Sequence, residues 1–299
     1  MMSDPTKLFR TVTDFTIFDN NLIGHAREVF GDYIEKGIIL SYDFDHHKWE
    51  TTNEYANVTF LFNVNTFQYK RFYQPLFGID YDGFIAYLKS FIVLSMDQHV
   101  LGSLQAFLRD IKRMIKETKQ DILSDIEAIK ISSPSLCIDF LASLPYPDDS
   151  EVSQLLEQLD NAMTIVYQNK PKQQRQLAQF QSYFAFNDIL ADYWGQALSQ
   201  EQRLFYYPLY LWWQITAVIP LRPREFLLTQ RDCLSEKDGK YFLTLRRNNL
   251  KGKEKSVSHK ISEDYYKTTY EIPKSLAMDI QDYLNLTNSQ SATKLNTLF

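Results

Sequence analysis

The chain has 299 residues, 44% of them hydrophobic and 23% charged, with a formal net charge of −5. That composition belongs to a folded protein with a sizeable core, and the acidic balance excludes nonselective coating of nucleic acid, which depends on neutralising phosphates. No apolar run approaches the roughly eighteen residues of a spanning helix, and the start at Met1, Met2, Ser3, Asp4 and Pro5 has no signal-peptide pattern, so a cytoplasmic location without membrane contact is expected.

Residues 21–30 have the spacing of a short helix. Residues 37–42 and 58–62 read as two strands of a small sheet joined by a polar loop over 43–57. His46 and His47 lie in that loop; adjacent histidines point to opposite sides of an extended chain and no third ligand is near, so no metal site is expected. Residues 1–80 are therefore read as an α+β region.

From 82 to 119 the pattern is helical, with a break at 97–102. Phe84, Tyr87, Leu88, Phe91 and Ile92 define one core face, and Leu104, Phe107, Leu108, Ile111 and Ile115 another. Arg109, Lys112, Arg113, Lys116 and Lys119 occupy the rest of the second helix, either as a solvated surface or as a face for a DNA backbone. Pro134, Pro145 and Pro147 punctuate a loop, and a helix over 151–168 follows, with Val152, Leu155, Leu156, Leu159 and Met163 on its apolar side. Residues 81–168 form the expected helical domain, and the polar stretch 169–176 is the expected linker to a second domain over 177–299.

Residues 176–193 and 202–218 open that domain as helices. The stretch 204–218 is so apolar that it reads as a core helix, with Tyr206, Tyr207, Tyr210, Trp212 and Trp213 packed rather than stacking on bases, and Pro208 kinking it or marking its start. The core helix delivers Arg222 to a fixed place. Helical spacing resumes at Glu225, residues 241–247 read as a strand, and a turn with Lys251, Lys253 and Lys255 follows. Between positions 222 and 260 eleven basic residues stand against five acidic ones. A local patch of that kind binds what the whole molecule repels. Residues 270–273 read as a return strand, 275–286 as a helix capped by Ser275, and 288–299 as a frayed tail.

Leu221, Arg222, Glu225, Phe226 and Leu227, followed by Lys251, Gly252 and Lys253, resemble the start of the catalytic domain of the tyrosine recombinase (phage integrase) family. There the first catalytic arginine precedes a glutamate by three residues and a catalytic lysine sits in the next β-hairpin. Pro220 stands where the family has glycine, Asp232 falls one residue early for its acidic position, and residues 256–269 look like an insertion. The resemblance implies an α+β, mostly helical fold: a helical core-binding domain that clamps DNA, then a partial catalytic domain. It implies site-specific integration or recombination of double-stranded DNA, as mobile elements perform, with self-association on DNA and no cofactor. The family's second arginine motif and tyrosine nucleophile have no match here, since no arginine follows Arg247 and His259 lacks an arginine three residues on. The expected chain therefore binds DNA, is truncated within the catalytic domain, and does not cleave.

Within that chemistry two guanidinium groups neutralise a pentacoordinate phosphorane and a third group protonates the departing oxygen. Arg222 would be one guanidinium and Lys251 the proton donor, with Lys253 as the alternative, while Glu225 would orient Arg222. Arg224, Arg246, Arg247, Lys253 and Lys255, with Arg109, Lys112, Arg113 and Lys116, would contact the DNA backbone. Tyr265, Tyr266, Tyr270 and Tyr283 receive no nucleophilic role. Cys137 and Cys233 have no CxxC partner and are expected to be buried thiols. A metal-dependent nuclease lacks an acidic cluster, and nucleotide hydrolysis lacks a Gly-rich loop. The rival reading is a helical interaction or structural protein in which the arginine motif is a packing accident.

Overall fold

A computed structural model describes residues 19–126, 128–146, 149–169, 179–248, 256–290 and 294–299. The fold is α+β and mostly helical, with a two-stranded and a three-stranded antiparallel sheet. It divides into two compact units, residues 1–172 with 256–259, and residues 173–255 with 260–299. Residues 170–178, which hold most of the expected linker, lie outside the described residues.

In the first unit, α1 (Asn20–Glu35) starts where the Asp19 carboxylate accepts the Leu22 N–H at 2.7 Å. The sheet differs from the sequence expectation. Its strands are β1 (Lys48–Thr52) and β2 (Asn57–Leu61), and of residues 37–42 only Ile39 bridges to it, opposite Thr51. β1 comes from the polar stretch because Trp49 and Thr51 alternate with outward Lys48, Glu50 and Thr52. Trp49 faces Phe60 across the pair, and both are fully buried.

Short helical turns α2 (Thr66–Gln68), a π-helical turn Tyr69–Tyr73 and α3 (Gln74–Phe77) lead to α4 (Tyr81–Leu94), capped by Asp80, and α5 (Leu101–Glu117). Their predicted apolar faces are buried, except that Tyr87 is only half-buried. α6 (Ile122–Ile126), α7 (Pro134–Ala142) and α8 (Asp149–Asn169) complete the unit. One hydrophobic core runs from Ala26 to Leu159, so residues 19–80 and the helices after them are a single body. The stretch 256–259 joins this unit through Val257 N–H, which donates to the Asp97 carbonyl at 2.6 Å, and the buried His259 ring, whose Nε2 lies 2.8 Å from the Met96 carbonyl.

The second unit contains α9 (Phe180–Trp194), α10 (Gln200–Val218), α11 (Pro223–Leu227), β3 (Leu234–Lys237), β4 (Lys240–Asn248), α12 (Ile261–Asp264), β5 (Tyr265–Ile272) and α13 (Lys274–Leu286). Asp238 and Gly239, both at positive φ, turn β3 into β4, and β4 pairs antiparallel with β5 along eight residue pairs. α10 starts at a Ser199–Gln202 capping box, upstream of Pro208, which lies inside the helix.

α10 is not buried all round as its apolar sequence predicts. Tyr207, Leu211 and Ile215 pack on Leu243, Ile272, Leu276 and Ile280, but Phe205 and Leu209 are exposed. One stripe of the helix meets the sheet and α13, and α9 covers part of another through Trp194 against Tyr207 and Tyr210 and through Tyr183 and Phe186 against Trp213. α13 starts after Pro273 at the cap position, which displaces the expected Ser275 cap. The C-terminal tail is docked rather than frayed. Leu298 is buried and its N–H donates to the Thr229 carbonyl at 2.7 Å, while the Phe299 ring lies 4.0 Å from that of Phe226.

Candidate functional site

Arg222 caps a five-residue helix reached from α10 through the buried Ile219 and the exposed Pro220. Pro223 at the first helical position presets the turn. Three residues on, the buried carboxylate of Glu225 turns back: Oε2 accepts the Arg222 N–H at 3.0 Å, and Oε1 accepts the Asn248 N–H at 2.9 Å. One carboxylate thus ties the helix start to the end of β4.

The same carboxylate holds two guanidinium groups. Arg222 Nη1 lies 3.9 Å from Oε1 and Arg247 Nη1 lies 3.6 Å from Oε2, while Arg247 also donates to the Pro220 carbonyl at 2.7 Å. Side-chain exposure is 43% for Arg222, 21% for Arg247 and 3% for Glu225. Two cations and one anion leave one net positive charge, and Arg222 is the more exposed of the two cations. They line a cleft of about 420 Å³ together with Tyr183, Trp212 and Trp213. Such a site suits an oxyanion such as phosphate, because the guanidinium fork stays charged and bonds two oxygens at once.

The other expected residues fall elsewhere. Arg224 is exposed on α11. Arg246 points to the other face of β4, donates to the Leu228 carbonyl at 3.4 Å, and stands directly opposite Lys267 of β5 beside a separate cleft of about 500 Å³. Lys251, Lys253 and Lys255 lie outside the described residues.

In the first unit Arg109, Lys112, Arg113 and Lys116 line one cleft of about 440 Å³ with Asn63, Asn65 and Glu117. Two of the four are engaged within the protein. Lys112 donates to the Leu61 carbonyl at 3.1 Å and to the Asn63 side chain, and burial lowers its pKa. Arg113 donates to the Lys130 carbonyl at 2.6 Å and lies near Asp110 and Glu117. Arg109 and Lys116 face solvent.

Burial raises the Tyr207, Tyr210 and Tyr283 pKa values, that of Tyr210 to about 12, and raises Cys137 and Cys233, the latter to about 12. Among the described residues no group of three or more His, Cys, Asp or Glu side chains is placed to hold a metal, and no helix is long and apolar enough to cross a membrane.

Sequence reasoning missed Tyr183 as a cleft wall. Its helix reads only as apolar, and the pairing that aims it at the cleft, with Trp213 at 4.7 Å, is tertiary. It also missed Lys267, whose opposition to Arg246 depends on the register of β5. No family model, no curated protein and no solved structure matches this chain.

Proposed function

We propose that this chain is the DNA-binding portion of an integrase-like tyrosine recombinase, gripping a backbone phosphate with Arg222. The observation that carries the reading is the Glu225 carboxylate, which holds Arg222 and Arg247 and also bonds the N–H of Asn248, three residues before Lys251. That is the order of parts the family resemblance requires: an arginine at a short helix start, then a strand feeding a lysine-bearing hairpin. Lys251 or Lys253 would protonate a leaving oxygen in a complete site. The exposed Arg109 and Lys116 of the first unit would add backbone contacts as part of a DNA-clamping domain. No residue here matches the family's second arginine motif or its nucleophile, so the activity proposed for the chain alone is binding without strand cleavage.

The test is fluorescence anisotropy with a labelled duplex over a salt series. Log affinity should fall linearly with log salt, and Arg222→Ala should weaken binding across sequences while reducing the slope by about one. Salt-insensitive binding, or an Arg222→Ala variant that binds like the parent, would refute it. Covalent trapping of the chain on nicked DNA through one of its own tyrosines would overturn the claim of binding alone.

One observation favours the rival reading of an interaction protein. Phe180, Phe184 and Ile189 on α9, with Phe205 and Leu209 on α10, expose large apolar side chains that isolated chains seldom leave uncovered. Concentration-dependent sedimentation without DNA, lost in a Phe184→Ser, Phe205→Ser variant, is the result that reading requires.

A further inference from the structure

We infer that the Arg222 cleft binds one unstacked nucleotide, with its phosphate on Arg222 and Arg247 and its base against the ring of Tyr183. The inference rests on the reading that this cleft grips a nucleic-acid phosphate, and it names the form of nucleic acid preferred: a single-stranded segment over an intact duplex.

The geometry provides both halves of a nucleotide site in the second unit. On one wall the guanidinium groups share Glu225, and Arg222 keeps its outer donors free of any packing partner that would bury them, at 43% exposure. In the same cleft lining, Trp213 is a fixed backing plate rather than a free ring. Its Nε1–H donates to Asn187 Oδ1 at 3.0 Å, and it is flanked by Tyr183 at 4.7 Å and Phe186 at 4.6 Å. Tyr183 leans on it with an interplanar angle of 37° and is itself 57% exposed, so the tyrosine offers its outer face. The pairing of an exposed ring with guanidinium groups in one cleft lining, which Phe180 and Phe184 of the same helix lack, is what needs explaining.

It is explained by a ligand that is anionic at one end and flat at the other. A cleft of about 420 Å³ has the size of a small-ligand site, within the roughly 300–1,000 Å³ range of such pockets. Base faces are covered by their neighbours inside a duplex and become available only when a nucleotide is unstacked. Single-stranded nucleic acid is held in this way, by charge along the backbone and aromatic rings against the bases.

Direct binding to three labelled probes tests this: a twelve-nucleotide single strand of thymidines, a duplex of the same length, and that duplex with a three-nucleotide gap. The single strand and the gapped duplex should bind about tenfold tighter than the intact duplex, the low end of what one base–aromatic stack contributes. Tyr183→Ala, a change at an exposed position, should weaken the single strand and the gapped duplex about tenfold more than the intact duplex and so abolish that preference. Tyr183→Phe should retain it. If Tyr183→Ala weakens all three probes equally or none of them, or if the parent prefers the intact duplex, the inference is overturned while phosphate binding at Arg222 stands. If Arg222→Ala changes affinity for no probe, the underlying reading fails and the inference fails with it.

Discussion

Replacing Glu225 with alanine removes one buried carboxylate that holds four groups. Two are backbone N–H donors, of Arg222 at 3.0 Å and Asn248 at 2.9 Å. A hydrogen bond to a charged acceptor contributes about 1.5–3 kcal/mol, and since water reaches both donors once the carboxylate is gone, the lower end applies, giving about 3 kcal/mol for the pair. The ion pairs with Arg222 and Arg247 at 3.9 and 3.6 Å involve side chains 43% and 21% exposed. Solvent screening holds them together to under about 1 kcal/mol. Glu225→Ala should therefore destabilise the second unit by about 3–4 kcal/mol, and Glu225→Gln, which keeps one carbonyl acceptor, by about half as much. Urea unfolding followed by tryptophan emission reads this unit, because Trp194, Trp212 and Trp213, three of the four tryptophans, belong to it. If the two variants lose the same stability, or if alanine costs less than about 1 kcal/mol, Glu225 is not the tie that its hydrogen bonds indicate.

Leu298→Ala should cost about 2–4 kcal/mol in the same assay, as for other fully buried leucines, whereas a frayed tail would leave the transition unmoved. Arg246 and Lys267 face each other across β4 and β5, so Lys267→Glu should raise stability by about 0.5–1 kcal/mol, with the gain shrinking at high salt; an unchanged or lowered midpoint would deny the register. Asp125 accepts N–H bonds from Gln120, Lys119 and Asp121, which hold its pKa below the ordinary 3.8. Because the folded value is the lower one, this stabilisation is complete above the ordinary value and is lost as pH falls through the depressed one. Thermal melts of the first unit should therefore lose stability on acidification over that window, and Asp125→Asn should flatten the dependence. A parallel pH profile in the variant would show that the loop bonds add nothing.

The longer helices of the first unit, α1, α4, α5 and α8, were legible because their signals are local, whereas α7 falls where the prolines were read as a loop. In α4 and α5 the apolar residues recur at three and four positions, a periodicity created by neighbours within the same helix, and the break between them follows from its loss. The Asp238–Gly239 turn needs only two residues that tolerate positive φ, yet neither it nor β3 was among the predicted elements. β1 was illegible because its alternation is carried by two buried residues among charged and polar ones, and its partner β2 decides which side is inward. α10 was misread as fully buried for a related reason. Apolarity states what a surface prefers to meet, not whether anything meets it.

The candidate site divides along the same line. By itself the sequence determined an arginine at a helix start with a glutamate three residues on, a strand, and a run of lysines, all set by short-range spacing. Only the tertiary structure decided that the glutamate is buried, that it bonds Asn248 and holds Arg247, and that Tyr183 lines the same cleft. Those relations join residues 22 to 23 positions apart, or on different helices. A charged side chain reveals nothing of its burial until the partners that compensate it have been folded into place.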